Sequence, residues 1–188
     1  AFTGNFTIER YIGPRNANYG DISVPILGAT VADIDDDLYI SGVGGPDGNA
    51  TAAGGIFYSL YSFNIASDLH EELTATTDPL TRGIGFEIWL ADNNDTYLGD
   101  TIDYIGNPSN GLVKSDINLG WNLVGNPFHS FIDFDLVEIT GNTSGNYYIF
   151  DTDNGSYTLE SGGTKADIAP GQGFWINQTN TGGFRVNF

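Results

Sequence analysis

The chain contains no cysteine and no methionine, and only 6 of its 188 residues are Lys or Arg. Without cysteine there are no disulfides and no thiol chemistry, a state that fits a cytosolic protein as well as a secreted one that avoids the residue. The missing methionine predicts that the chain is not a whole translation product: a leader has been removed, or the chain is an excerpt of a longer protein. No apolar run approaches the roughly 18 residues of a membrane-spanning helix. The basic residues are too few to offset 24 acidic ones, and the net charge of −18 repels nucleic acid and anionic lipid. Nucleic-acid binding and membrane insertion are set aside.

What the chain does have is apolar and aromatic content, 40% hydrophobic with 12 Phe, 10 Tyr and 3 Trp, which predicts a folded body. Eighteen of the acids are Asp, and Gly occurs 26 times. Both residues favour turns over helix interiors, so the acidic charge belongs to loops. Alternating β-branched and aromatic runs predict strands near 2–12, 22–24, 38–41, 56–64, 84–91, 101–105, 112–117, 121–124, 132–139, 147–150, 157–160, 173–178 and 183–188. Turn sequences such as Gly106-Asn107-Pro108 and Asp153-Asn154-Gly155 separate them, the last reading as a hairpin. Only 65–73, where Leu69, His70 and Leu73 could share a face, has helical character. The fold class expected is all-β, a β-sandwich or barrel-like body.

Two stretches read as versions of one another. The later one runs Trp121-Asn122-Leu123-Val124-Gly125-Asn126-Pro127, then Tyr147-Tyr148-Ile149-Phe150-Asp151, then Gly171-Gln172-Gly173-Phe174-Trp175-Ile176. The earlier one runs Tyr19-Gly20-Asp21-Ile22-Ser23-Val24-Pro25, then Leu60-Tyr61-Ser62-Phe63-Asn64, then Gly83-Ile84-Gly85-Phe86-Glu87-Ile88. Three anchors in matching order predict two internally duplicated halves, about 14–91 and 112–188, as two tightly packed repeats or one all-β domain. Pro25 equates with Pro127 and Phe86 with Phe174; an inserted loop at 42–55 accounts for the first copy's extra length. Trp121 and Tyr19 read as plugs for the end of a sandwich core, with a carbohydrate platform as the alternative.

Four segments carry a resemblance: Glu9-Arg10-Tyr11-Ile12, the PLTRGIGF of 79–86, the GWNLVGNPF of 120–128 with IDFD at 132–135, and the IAPGQGF of 168–174. Together they resemble a module found near the C-termini of large secreted and surface proteins of Bacteroidota exported by the type IX secretion system. The second half matches more closely than the first. The resemblance implies an extracellular or cell-surface location, a structural or adhesive role and no transferable catalytic residue. The C-terminal sorting domain usual in such proteins would lie beyond Phe188. The resemblance also implies O-glycosylation at Asp-Ser/Thr-apolar sites, which Asp100-Thr101-Ile102 and Asp95-Thr96-Tyr97 match, making Thr101 and Thr96 the candidates.

Acidic clusters are the candidates for a metal site. Asp33, Asp35 and Asp37 have the first three spacings of a calcium loop, but Leu38 and Gly44 stand where an EF-hand needs Gly and Glu, so any calcium there would bind a different loop type. No other cofactor is required. His70 and His129 have no metal spacing, no Gly-x-Ser-x-Gly occurs, and none of the six Glu is marked as an acid catalyst. The expectation is therefore not an enzyme but a structural or adhesive module of a surface protein or extracellular fibre. Its partners would be neighbouring modules, copies of itself or surface polysaccharide. A carbohydrate-binding module is the alternative and an acid-dependent glycoside hydrolase the distant one. The weakly charged ends, 2–8 and 182–188, read as strand edges able to join modules end to end.

Overall fold

A computed structural model describes residues 4–42, 51–52, 55–91, 96–108, 110–140, 145–151, 154–161, 167–179 and 184–188. Asn18–Ile22, Phe86–Leu90, Leu60–Asn64 and Leu69–Glu72 lie side by side in that order in an antiparallel sheet, the first sheet. Gly120–Gly125, Gly173–Gln178, Asn146–Asp151 and Ser156–Ser161 make a second sheet with the same order: first, fourth, second, third along the chain. The register matches residue by residue. Ile22 pairs with Phe86 as Val124 pairs with Phe174, and Tyr61 pairs with Glu87 as Tyr148 pairs with Trp175. Pro25 and Pro127 each stand three residues beyond the first of those pairs.

Further strands back each sheet. Phe6–Ile12 pairs with Asp100–Gly106, and Lys114–Ile117 pairs with Phe184–Asn187, whose other edge holds Glu138–Thr140. The first unit therefore extends past 14–91 at both ends. Strand alternation sends Ile22, Phe86, Ile88, Leu90 and Leu60 to one face, where they pack with Ile12, Ile102, Tyr104 and the 24–40 segment in one core. Val124, Phe174, Ile176 and Tyr147 do the same against Ile117, Val186, Phe134 and Ile168 in a second core. The result is all-β and sandwich-like, and no sheet closes into a barrel among the described residues.

Three local expectations are corrected. The 65–73 segment is not helical: 65–68 is a hairpin turn and Leu69–Glu72 an edge strand pairing with Leu60–Asn64. Nine residues hold too few helical hydrogen bonds to compete with a ready sheet edge, and the Asn64 carboxamide caps the turn by accepting from the Ala66 and Ser67 amides. The chain's only α-helix among the described residues is the single turn Ala32–Asp35. Residues 38–41 form no strand, although Leu38 and Ile40 are buried in the first core. Of the 42–55 insertion, 43–50 and 53–54 lie outside the described residues. Tyr19 and Trp121 plug neither core: alternation gives the core places to Ile22 and Val124 and turns the aromatics to the opposite face.

The halves meet through reciprocal contacts. Ile22 bridges to Gln172 as Val124 bridges to Ile84. The Ser23 amide donates to the Gly171 carbonyl (2.7 Å), and the Gly125 amide donates to the Gly83 carbonyl (3.2 Å). Gly171 sits against Arg10 and Tyr104 of the first half, and Gly83 against Ser115 and Phe188 of the second. Residue i touching j′ while j touches i′ is the signature of a two-fold, here an approximate one within a single chain. Gly83 and Gly171 have φ of 77° and 64°, a conformation that glycine adopts without strain.

The GWNLVGNPF and IAPGQGF segments serve this junction. Asn126 is fully buried; its amide donates to the carbonyls of Ser130, Ile168 and Ala169, and its oxygen accepts from the Phe128 amide. One side chain thus ties the two motif segments together, so these motif residues work as scaffold.

Candidate functional site

The faces of the two sheets that look away from their cores meet each other and leave an open groove of about 490 Å³, lined by Phe63, Asp68, His70, Trp121, Tyr148, Tyr157 and Trp175. Period-two alternation explains the lining. Trp121 alternates with buried Asn122, Trp175 with Phe174 and Ile176, and Tyr148 with Tyr147. Trp175 is the centre. Its ring takes Phe63 edge-on at 4.7 Å, His70 at 6.0 Å, and Trp121 and Tyr157 at 6.3 Å, with interplanar angles of 70–88°. Its indole N–H donates to the Tyr157 hydroxyl at 3.0 Å. Trp121 leans on Tyr148 at 5.0 Å. Trp175 is 7% exposed, but Trp121 and Tyr157 keep 40% and 42% of their surface open, so the rim is apolar and reachable.

Behind Trp175 and Tyr157 lies an acid pair. Asp21 and Glu87 are directly opposed on neighbouring strands of the first sheet. Burial pushes the Asp21 carboxyl up to about 8, with the Glu87 charge adding to it; the Tyr157 hydroxyl and Trp175 indole pull slightly the other way. Both Asp21 oxygens are buried without a hydrogen bond of full geometry. Glu87 is also raised, chiefly by burial, against the opposing pull of His70, whose Nε2 lies 3.4 Å from Oε2. Burial, then the charges of Asp21 and Glu87, push the Tyr157 hydroxyl up, so it stays protonated and able to donate.

The sequence-derived site residues lie elsewhere. The Asp33 carboxylate turns back to accept from the Thr30 amide (2.7 Å) and hydroxyl (3.1 Å), Asp35 is buried at the end of Ala32–Asp35, and Asp37 accepts from the Asp103 amide at 2.6 Å. These three carboxylates serve three different local structures. No group of three or more His, Cys, Asp or Glu side chains converges for a metal among the described residues. Thr101 is half-buried in the Asp100–Gly106 strand opposite Tyr11, and Thr96 is half-buried opposite Asn16; Asp95 lies outside the described residues. His129 is exposed in a loop.

The sequence offered Trp121 first as a core plug, which its exposure overturns, with a carbohydrate platform as the alternative, and it did not bring His70, Asp21 and Glu87 together as a group. A signal for Asp21 and Glu87 was present: each is an acid inside a strand whose neighbours are apolar, Tyr19-Gly20-Asp21-Ile22 and Phe86-Glu87-Ile88-Trp89. No protein-family model, curated protein or solved structure matches the chain.

Proposed function

We propose that the chain is a non-catalytic adhesive module of a secreted surface protein and that the inter-sheet groove binds carbohydrate. The observation that carries this reading is the groove itself, a solvent-open cleft walled by Trp121, Trp175, Tyr148, Tyr157 and Phe63 with His70 and Asp68 at its margin. A pyranose offers C–H faces that pack on aromatic rings and hydroxyls that bond to polar groups at the edge. The rings stand edge-to-face, which suits a clasp around a chain better than a flat platform. Asp21 and Glu87 stand side by side on one sheet behind one wall, whereas glycoside hydrolysis needs carboxyl groups flanking the bond, and this favours binding over cleavage. The surface location follows the sequence resemblance and belongs to the proposal.

Affinity electrophoresis in gels containing glucan, xylan, mannan or pectin tests the reading. Retardation by at least one polymer is expected, with Trp121→Ala weakening binding roughly tenfold or more while the fold is retained. Equal migration of both proteins in every gel would overturn it. A second reading, end-to-end joining into a fibre, is favoured by one observation: among the described residues Phe6–Ile12 has a single neighbouring strand, Asp100–Gly106, in its sheet. Phe184–Asn187, in contrast, is paired on both sides.

A further inference from the structure

A partly open cavity of about 170 Å³ lies between the halves, apart from the groove, and brings together Arg10, Arg15, Asp21 and Gln172 beside Ile12 and Phe150. Two of the chain's six basic residues thus converge in one small space in a protein of net charge −18.

The approximate two-fold supplies an internal control. It carries this cavity onto a second one, of about 250 Å³, where Ile117, Phe63, Leu123 and Ile84 stand beside Asn122, Glu71 and Asp116 and no Arg or Lys is present among the described residues. Leu123 stands there in the place of Asp21 and Ile84 in the place of Gln172. Ser115 takes the place of Arg10, since it meets Gly83 as Arg10 meets Gly171. The same backbone frame therefore carries Leu, Ile and Ser at the three positions equivalent to Asp21, Gln172 and Arg10, so the frame itself does not require the charged set. Placing guanidinium groups there costs desolvation, which shows as a lowered Arg10 pKa, caused first by burial and reinforced by neighbouring Arg15. Arg10 donates to the Gly171 carbonyl, a neutral acceptor, and among the described residues no carboxylate forms an ion pair with it. A guanidinium has five N–H donors, so most of its capacity remains for another group. Asp21 offsets the Arg10 charge poorly, because burial and the Glu87 charge raise its carboxyl to about 8.

We infer that this cavity binds a small oxyanion, a carboxylate, sulfate or phosphate group, held by the Arg10 and Arg15 guanidinium groups with the Gln172 amide beside them. Planar guanidinium forks match such oxygens in pairs, which a point charge cannot do. The same cavity would take a free ion or the acid group of a substituted sugar.

The test is titration of the whole chain with sodium acetate, sulfate, phosphate and glucuronate against sodium chloride at matched ionic strength, followed by amide NMR shifts at 171–172 and by Tm. Saturable shifts with at least one oxyanion, absent with chloride, are expected; which salt saturates at lowest concentration separates the free ion from the acid sugar. Arg15→Gln and Arg10→Lys should each weaken binding about tenfold, the cost of losing a charge-assisted hydrogen bond. Should Arg10→Lys fail to fold, Arg15→Gln and Gln172→Ile, the latter copying the apolar mate, decide the matter. Shifts that rise without saturation and match chloride, or saturation unchanged in the folded variants, would overturn the inference.

Discussion

Asp21 is the residue that the repeat does not need. Its counterpart Leu123 buries an uncharged side chain, whereas Asp21 buries a carboxyl beside Glu87 with no full hydrogen bond. A folded-state pKa raised from 3.8 to about 8 means that the native form holds its proton more tightly than the unfolded chain. The stabilisation is therefore complete below the ordinary carboxyl range and is lost as pH rises through about 8. Asp21→Leu removes this dependence. Its advantage in Tm over the wild type should grow steadily between pH 5 and 8.5, reaching on the order of 2–4 kcal/mol in denaturant unfolding. A gap that stays constant with pH would mean that Asp21 is not the group taking up the proton.

The equivalent hairpins 64–69 and 151–156 show the same economy. Each is closed by an Asn or Asp whose side chain accepts backbone amides, and each has a residue at φ near 60°, Asp68 at 57° in one and Gly155 at 61° in the other. An L-residue there is strained, so Asp68→Gly should stabilise by about 0.5–1 kcal/mol and Gly155→Ala destabilise by about 1 kcal/mol, read from urea midpoints. The junction is stricter. A Cβ on Gly85 would sit 2.7 Å from both Leu123 Cγ and the Val124 carbonyl oxygen, and one on Gly173 would sit 2.8 Å from the Ile22 carbonyl oxygen. Backbone on the far side cannot rotate away. Gly85→Ala and Gly173→Ala should each cost about 2–4 kcal/mol; unfolding midpoints within experimental error of the wild type would refute a tight two-fold junction. The Gly-x-Gly spacing was legible in the sequence as an anchor of the repeat, but not as the place where the halves touch. Likewise, 65–73 offered a helical periodicity that sheet pairing overrode.

With 24 acidic and 6 basic residues, the folded molecule repels itself. Sodium chloride should raise Tm most steeply up to a few hundred millimolar, where the Debye length falls below about 6 Å, and then level off. Calcium chloride at equal ionic strength separates screening from binding at 33–37: a further saturable gain, abolished by Asp37→Asn, is expected if that loop takes the ion, and coincident curves would exclude it. The all-β class, most strand positions and the order of the repeated anchors followed from the chain alone, because alternation, turn chemistry and spacing are properties of neighbouring residues. The same alternation says only that Tyr19 and Ile22, or Trp121 and Val124, face opposite ways; it does not say which face meets a core. That choice, and with it the groove and the arginine-lined cavity, came from packing two outer faces across an approximate two-fold. Phe63 meets Trp175, and Arg10 meets Gly171, across more than a hundred positions, and contacts at that separation arise from how whole sheets bury their surfaces.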